Sequence, residues 1–64
     1  MLYKNVVAIN KKGERISWDE AIVSRCWSDK YFVNIYDKNG GYIDYLPLDE
    51  WEVTATKEIC FNEI

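Results

Sequence analysis

The stretch YFVNIYDKNGGYIDYLPLDEW at residues 31–51 constrains the fold more than any other part of the chain. Two of its runs alternate apolar and polar residues with a period of two, and Asp-Lys-Asn-Gly-Gly between them is turn chemistry, so the pair reads as a β-hairpin. Residues directly opposite each other in a sheet point to the same face. A two-residue Asn39-Gly40 turn would pair Ile35 with Asp44 and Val33 with Leu46, which puts a carboxylate on the core face. A three-residue loop of Lys38, Asn39 and Gly40 instead pairs Ile35 with Ile43 and Val33 with Tyr45, and is the register we expect. Gly40 then occupies the left-handed position that glycine takes without steric cost, and Asn34, Tyr36, Tyr42 and Asp44 fall on the opposite face.

A chain of 64 residues makes one small β domain over residues 1–64. At this size only about 60% of the unfolded surface is buried and a single core supplies about 3–5 kcal/mol, which leaves no room for a deep active-site cavity. There is no histidine, and Cys26 and Cys60 lie far apart in sequence, so a zinc site lacks its ligands and spacing. Neither a metal nor a cofactor is expected. The two cysteines read as semi-buried thiols in a reducing cytosol, with a Cys26–Cys60 disulfide as the alternative. No signal-peptide core and no membrane span occurs in the sequence, so a cytoplasmic protein is the default. Abundant Ile, Lys, Asn, Glu and Tyr reflect an AT-rich genome, as in a small bacterial or phage reading frame.

Leu2 to Asn10 carries Val7 and Ile9 on one face and Val6 and Ala8 on the other, the pattern of a covered or central strand. Lys-Lys-Gly-Glu at 11–14 turns it into a first hairpin, expected to pair Ile9 with Ile16 and Val7 with Trp18 through an even-length loop. Residues 17–29 support two readings. Ser-Trp-Asp-Glu at 17–20 fits a helix N-terminus, with Trp18, Ala21, Ile22 and Cys26 at helical spacing, which would give an α+β protein with a helix at about 18–27. We prefer a strand from Ala21 to Trp27, headed by a short turn at 18–20 and leading through Ser28-Asp29-Lys30 into Tyr31, because Val23 and Trp27 fall on the wrong side of that helix and β-branched Ile22 and Val23 disfavour it. Pro47 ends the second hairpin, a single 3₁₀ turn follows at 47–51, and Glu52 to Thr56 closes the sheet.

This order of elements resembles the SH3-like small barrels, including the Tudor and KOW types, over about residues 18–56, on architecture and without a diagnostic motif. The resemblance implies a mostly β, antiparallel barrel of about five strands. It also implies binding through aromatics near the loops, here Trp27 and Tyr31 around the Ser-Asp-Lys turn, Tyr42 on the hairpin and Trp51 after the 3₁₀ turn. Ile59, Phe61 and Ile64 form an apolar tail that such a barrel does not require.

Charge and aromaticity carry the functional expectation. Residues 1–32 hold six cations against four anions, whereas residues 33–64 hold two against seven, and the acidic half is also rich in rings. Serines without a histidine base, and carboxylates without a cleft to shift them, argue against an enzyme. Tyr and Trp bury large areas with few rotatable bonds and dominate binding hot spots, although cross-strand packing is the simpler use for them. The expected function is a non-enzymatic protein-binding module or inhibitor, acting through an acidic-aromatic face of Trp27, Tyr31, Tyr36, Tyr42, Asp44, Asp49, Glu50 and Trp51 on a partner with a basic surface. Homo-oligomerisation fits the small core. Two other classes stay open: a nucleic-acid binder using Lys11, Lys12 and Arg15 with Trp18 as stacking ring, and a structural subunit lending its apolar tail to a neighbour.

Overall fold

The computed structural model describes residues 1–25 and 32–63. Six strands make one antiparallel sheet: β1 (Leu2–Asn10), β2 (Arg15–Arg25), β3 (Phe32–Tyr36), β4 (Tyr42–Pro47), β5 (Trp51–Ala55) and β6 (Ile59–Cys60), in the order β4-β3-β2-β1-β5-β6. There is no helix among the described residues. The strand reading of residues 21–25 therefore holds and a helix beginning at Trp18 does not form; Cys26, Trp27, the Ser28-Asp29-Lys30 turn and Tyr31 lie outside the described residues. The sheet does not close into a barrel, because β4 and β6 remain as separate edges. The closed barrel of about five strands implied by the SH3-like resemblance is thus corrected to an open sheet of six.

Both hairpin loops follow one recipe. In the first, Asn10 Oδ1 accepts the backbone N–H groups of Lys12 and Glu14 at 2.9 Å each, while Gly13 N–H donates to Asn10 O at 3.0 Å. In the second, Asp37 Oδ1 accepts those of Asn39 and Gly41 at 2.8 Å each, while Gly40 N–H donates to Asp37 O at 2.9 Å. Each is a three-residue loop with its glycine left-handed, at φ +86° for Gly13 and +89° for Gly40. An Asx side chain folds the turn by mimicking backbone, and glycine supplies the positive φ. The second loop is as expected. The first is not even in length: Ile9 pairs with Arg15, Ala8 with Ile16 and Val6 with Trp18.

The second hairpin departs from expectation beyond its loop. Tyr36 pairs with Tyr42, but an irregularity at Ile35/Tyr36 shifts the ladder by one residue, so Ile35 opposes Asp44 and Val33 opposes Leu46. The expected pairing of Ile35 with Ile43 and Val33 with Tyr45 is overturned. The expected register rests on the premise that a carboxylate does not share the parity of core residues. At an edge strand the premise fails, because Asp44 lies beyond the covered core and is exposed to water.

The core consists of Val6, Ala8, Ala21, Val23, Val33, Ile35, Leu46, Val53, Ala55 and Phe61, with Tyr3, Trp18, Leu48 and Trp51 packed around it. A bend in the first hairpin makes this possible. Asn5 adopts φ +52°, and on each strand two consecutive residues are exposed, Lys4 and Asn5 on β1, Asp19 and Glu20 on β2. The inward face consequently changes parity, from Tyr3 to Val6 on β1 and from Trp18 to Ala21 on β2. Residues 18–20 are accordingly a bend inside β2 and not a turn at its head. The bent sheet curls until its far elements meet: Tyr3 and Phe61 pack edge to face with ring centroids 5.0 Å apart, and Arg25 Nη1 donates to Phe61 O at 2.8 Å. The radius of gyration, 10.7 Å, is that of a compact chain of this length.

The 3₁₀ turn expected at 47–51 is a single turn at 48–50, with β4 extending through Pro47 and Glu50 N–H donating to Pro47 O at 3.2 Å. The apolar tail serves the fold itself. Ile59 and Cys60 form β6, Phe61 enters the core, and Cys60 is a free, half-buried thiol; Ile64 lies outside the described residues. Asn62 then continues the edge with its side chain. Its Oδ1 accepts Val53 N–H at 2.9 Å, and its Nδ2 donates to Trp51 O at 2.8 Å and Leu48 O at 2.9 Å, so the amide stands where a further strand residue would pair with β5.

Two stability predictions follow from these contacts. Asn62→Ala leaves three backbone groups to water and should cost about 1–2 kcal/mol in urea unfolding, with Asn62→Asp little better because a carboxylate faces two carbonyls. Gly13→Ala and Gly40→Ala meet nothing within 4 Å and should each cost only the left-handed penalty, about 1–2 kcal/mol.

Candidate functional site

The face of the sheet turned away from the core carries a continuous apolar row. Leu2 pairs with Ile22, Ile22 with Tyr36 and Tyr36 with Tyr42, so one residue from each of four strands lines up across the sheet. At a strand spacing near 4.8 Å the row is about 14 Å wide. Beside it lie Ser24, Asn34 and Tyr45, then Phe32 opposite Pro47. Leu2 is 46% exposed, Tyr42 58% and Tyr45 53%, while Ile22, Phe32 and Tyr36 are half-buried.

The bulge adds Tyr45 to this surface. Tyr42 and Tyr45 are three residues apart, a spacing that puts side chains on opposite faces of a regular strand. With one extra residue, Ile43, set into β4, both point outward, and each finds a ring on β3. Tyr36 and Tyr42 meet edge to face at 5.6 Å, and Phe32 and Tyr45 meet at 5.4 Å with planes tilted by 48°. Tyr45, expected on the core side with Val33, thus belongs to the outer face. Neither it nor Phe32 was among the expected site residues; Phe32 shares the parity of Asn34 and Tyr36 and is legible by a period of two, whereas Tyr45 is not, because the bulge reverses its face.

Of the expected site residues, Tyr36 and Tyr42 stand together in this row. Asp44 lies next to them but on the other parity, with its Oδ1 accepting the Tyr45 backbone N–H at 2.8 Å. Asp49, Glu50 and Trp51 are elsewhere. Trp51 pairs with Asn10 at the opposite end of β1 from Leu2, where these three line an open cleft of about 330 Å³ with Ile9, Lys11 and Leu48. Trp27 and Tyr31 lie outside the described residues.

Electrostatics single out Tyr42. Its phenol is held above the ordinary value of 10.0, first by the loss of water around the ring, then by the Asp44 carboxylate and the neighbouring Tyr36 and Tyr45. Asp37, in contrast, spends its carboxylate on the turn. Every buried side-chain polar atom among the described residues has a hydrogen-bond partner, and no group of three His, Cys, Asp or Glu among them could hold a metal ion. No described helix is long and apolar enough to cross a membrane.

Because its folded pKa is raised, neutral Tyr42 contributes stability below pH 10 that is lost as pH climbs through the raised value. Asp44→Asn should move the Tyr42 ionisation part of the way down, since the desolvation remains, as read from ring-carbon NMR shifts during an alkaline titration. An unmoved titration would disconnect Asp44 from the ring. No protein-family model, curated protein or solved structure matches this chain.

Proposed function

We propose that this protein is a small non-enzymatic binding module that docks on another protein through the outer face of the β3–β4 hairpin, centred on Tyr42 and Tyr45 with Asp44 beside them. The observation that carries the reading is the bulge at Ile43, which brings Tyr45 onto the face that Tyr42 already holds, so that two tyrosines more than half exposed stand at one end of an apolar row across four strands. Isolated exposed rings are ordinary, whereas a contiguous set held in ring-to-ring contact loses little conformational entropy on being covered. Seven carboxylates against two lysines in residues 33–64 favour a partner with a basic rim.

Strand addition is disfavoured as the mode of binding. The β4 edge carries a bulge, an exposed carboxylate at core parity and Pro47, and Asn62 occupies the β5 edge beyond the two residues of β6. The nucleic-acid alternative has less support, since Trp18 is half-buried against the core and three carboxylates, Asp49, Glu50 and Glu52, stand in the same cleft as Lys11 and Lys12. The structural-subunit alternative would need Phe61, which is only 8% exposed.

The test is binding of the isolated partner to variants whose fold is verified by NMR. Tyr42→Ala and Tyr45→Ala should each weaken the complex by about 1–3 kcal/mol. Asp44→Asn should act mainly on association rate and its salt dependence. Loss confined to a Lys11/Lys12/Arg15 triple substitution, with affinity falling steeply as salt rises, would transfer the function to nucleic acid. Full binding by both tyrosine variants would remove the outer face from consideration.

A further inference from the structure

The cleft at the other end of the sheet is a second built surface, independent of the tyrosine face. Two overlapping hollows of about 330 and 390 Å³ share Asn10, Lys11, Glu50 and Trp51. One wall is the 48–52 segment, with Leu48, Asp49, Glu50, Trp51 and Glu52; the other is the β1–β2 turn, with Lys11 and Lys12. Both walls are held in place: Asn62 Nδ2 bonds Leu48 O and Trp51 O on one side, and Asn10 Oδ1 bonds the turn on the other. No ion pair joins Lys11 or Lys12 to Asp49, Glu50 or Glu52, so the cleft stands open with unmatched charges along it. A half-buried indole, Trp51, contributes to both hollows.

We infer that this cleft receives an arginine side chain from an exposed segment of a partner protein. A guanidinium stacks on an indole face and forks onto a carboxylate at once, which a lysine ammonium does less well and a neutral chain cannot do. Three carboxylates stand against two ammoniums; Asp49 and Glu50 precede Trp51 on the turn, and Glu52 flanks it from the other parity of β5, opposite Ile9. Because the walls are already fixed by hydrogen bonds, binding orders little of the protein. Lys11 and Lys12 oppose the incoming cation from the far rim, which sets a specific sign for their removal.

The test is an NMR titration of the full chain with the capped tripeptide acetyl-Gly-Arg-Gly-amide, alongside its citrulline and glutamate counterparts. The Trp51 indole N–H and the Glu50 and Glu52 amides should shift saturably with arginine, with affinity roughly fivefold to thirtyfold above that of citrulline. The exposed change Glu50→Gln should weaken the arginine peptide, and the double change of Lys11→Gln with Lys12→Gln should strengthen it. Equal shifts with citrulline, stronger binding of the glutamate peptide, weakening on loss of the lysines, or no shift at Trp51 would each overturn the inference. Tyr42→Ala should leave the titration unchanged, so this outcome is separable from failure of the tyrosine face.

Discussion

Among the described residues neither a helix nor a second sheet covers this sheet, so it buries one face by bending over itself, and the rest of the structure depends on that bend. The inward parity changes at Asn5 on β1 and between Trp18 and Ala21 on β2, so two strands turn together without breaking their ladder. Thr56 N–H reaches the carbonyls of Lys4 and Asn5 at 3.1 and 3.3 Å, which fits the end of β5 into the bend. Curling brings Phe61 against Tyr3 and under the Arg25 guanidinium, and the tail thereby replaces the missing layer. The side chains enclosed are small: the largest fully buried ones are Ile35, Val6, Val33 and Val53. Apart from Phe61, the rings among the described residues stay at the rim or on the outer face, which is why so aromatic a chain displays its aromatics.

Leaving the sheet open creates two edges, and the protein treats both. On β4 a bulge, an exposed carboxylate and a proline interrupt the row of free backbone groups; along β5 a side-chain amide stands in for a strand. The same bulge that blunts β4 also aims Tyr42 and Tyr45 together. Edge protection and display of the candidate docking face are therefore one structural event, and a variant that regularised β4 would be expected to disturb both.

Local chemistry made the second hairpin loop readable. Asp37 followed by Lys-Asn-Gly specifies a type I turn closing on a left-handed glycine, and each contribution acts within five residues. Asn10 with Lys-Lys-Gly carries the same information, and reading it by matching Ile9 to Ile16 missed by one residue. The turn chemistry was the better guide. Hydrophobic matching across a hairpin fails where one strand end is solvated, as it is for Ile9, Arg15 and Ile16, all exposed.

The sequence by itself determined the alternation that makes strands of residues 2–10, 32–36 and 42–47, the two Asx-Gly turns, the central place of the first strand and the surplus of aromatic rings, because each of these depends on neighbours within one turn or one strand. Only the tertiary structure decided that the tail fills the core, that Asn62 completes an edge, and that Tyr45 shares a face with Tyr42 while Asp49, Glu50 and Trp51 gather with Lys11 at the far end. Those outcomes turn on a one-residue slip and on contacts between segments distant in sequence. A period-two pattern cannot encode a bulge, since inserting one residue reverses every side chain beyond it, and only the strand alongside and the water at the sheet's edge select where the reversal falls.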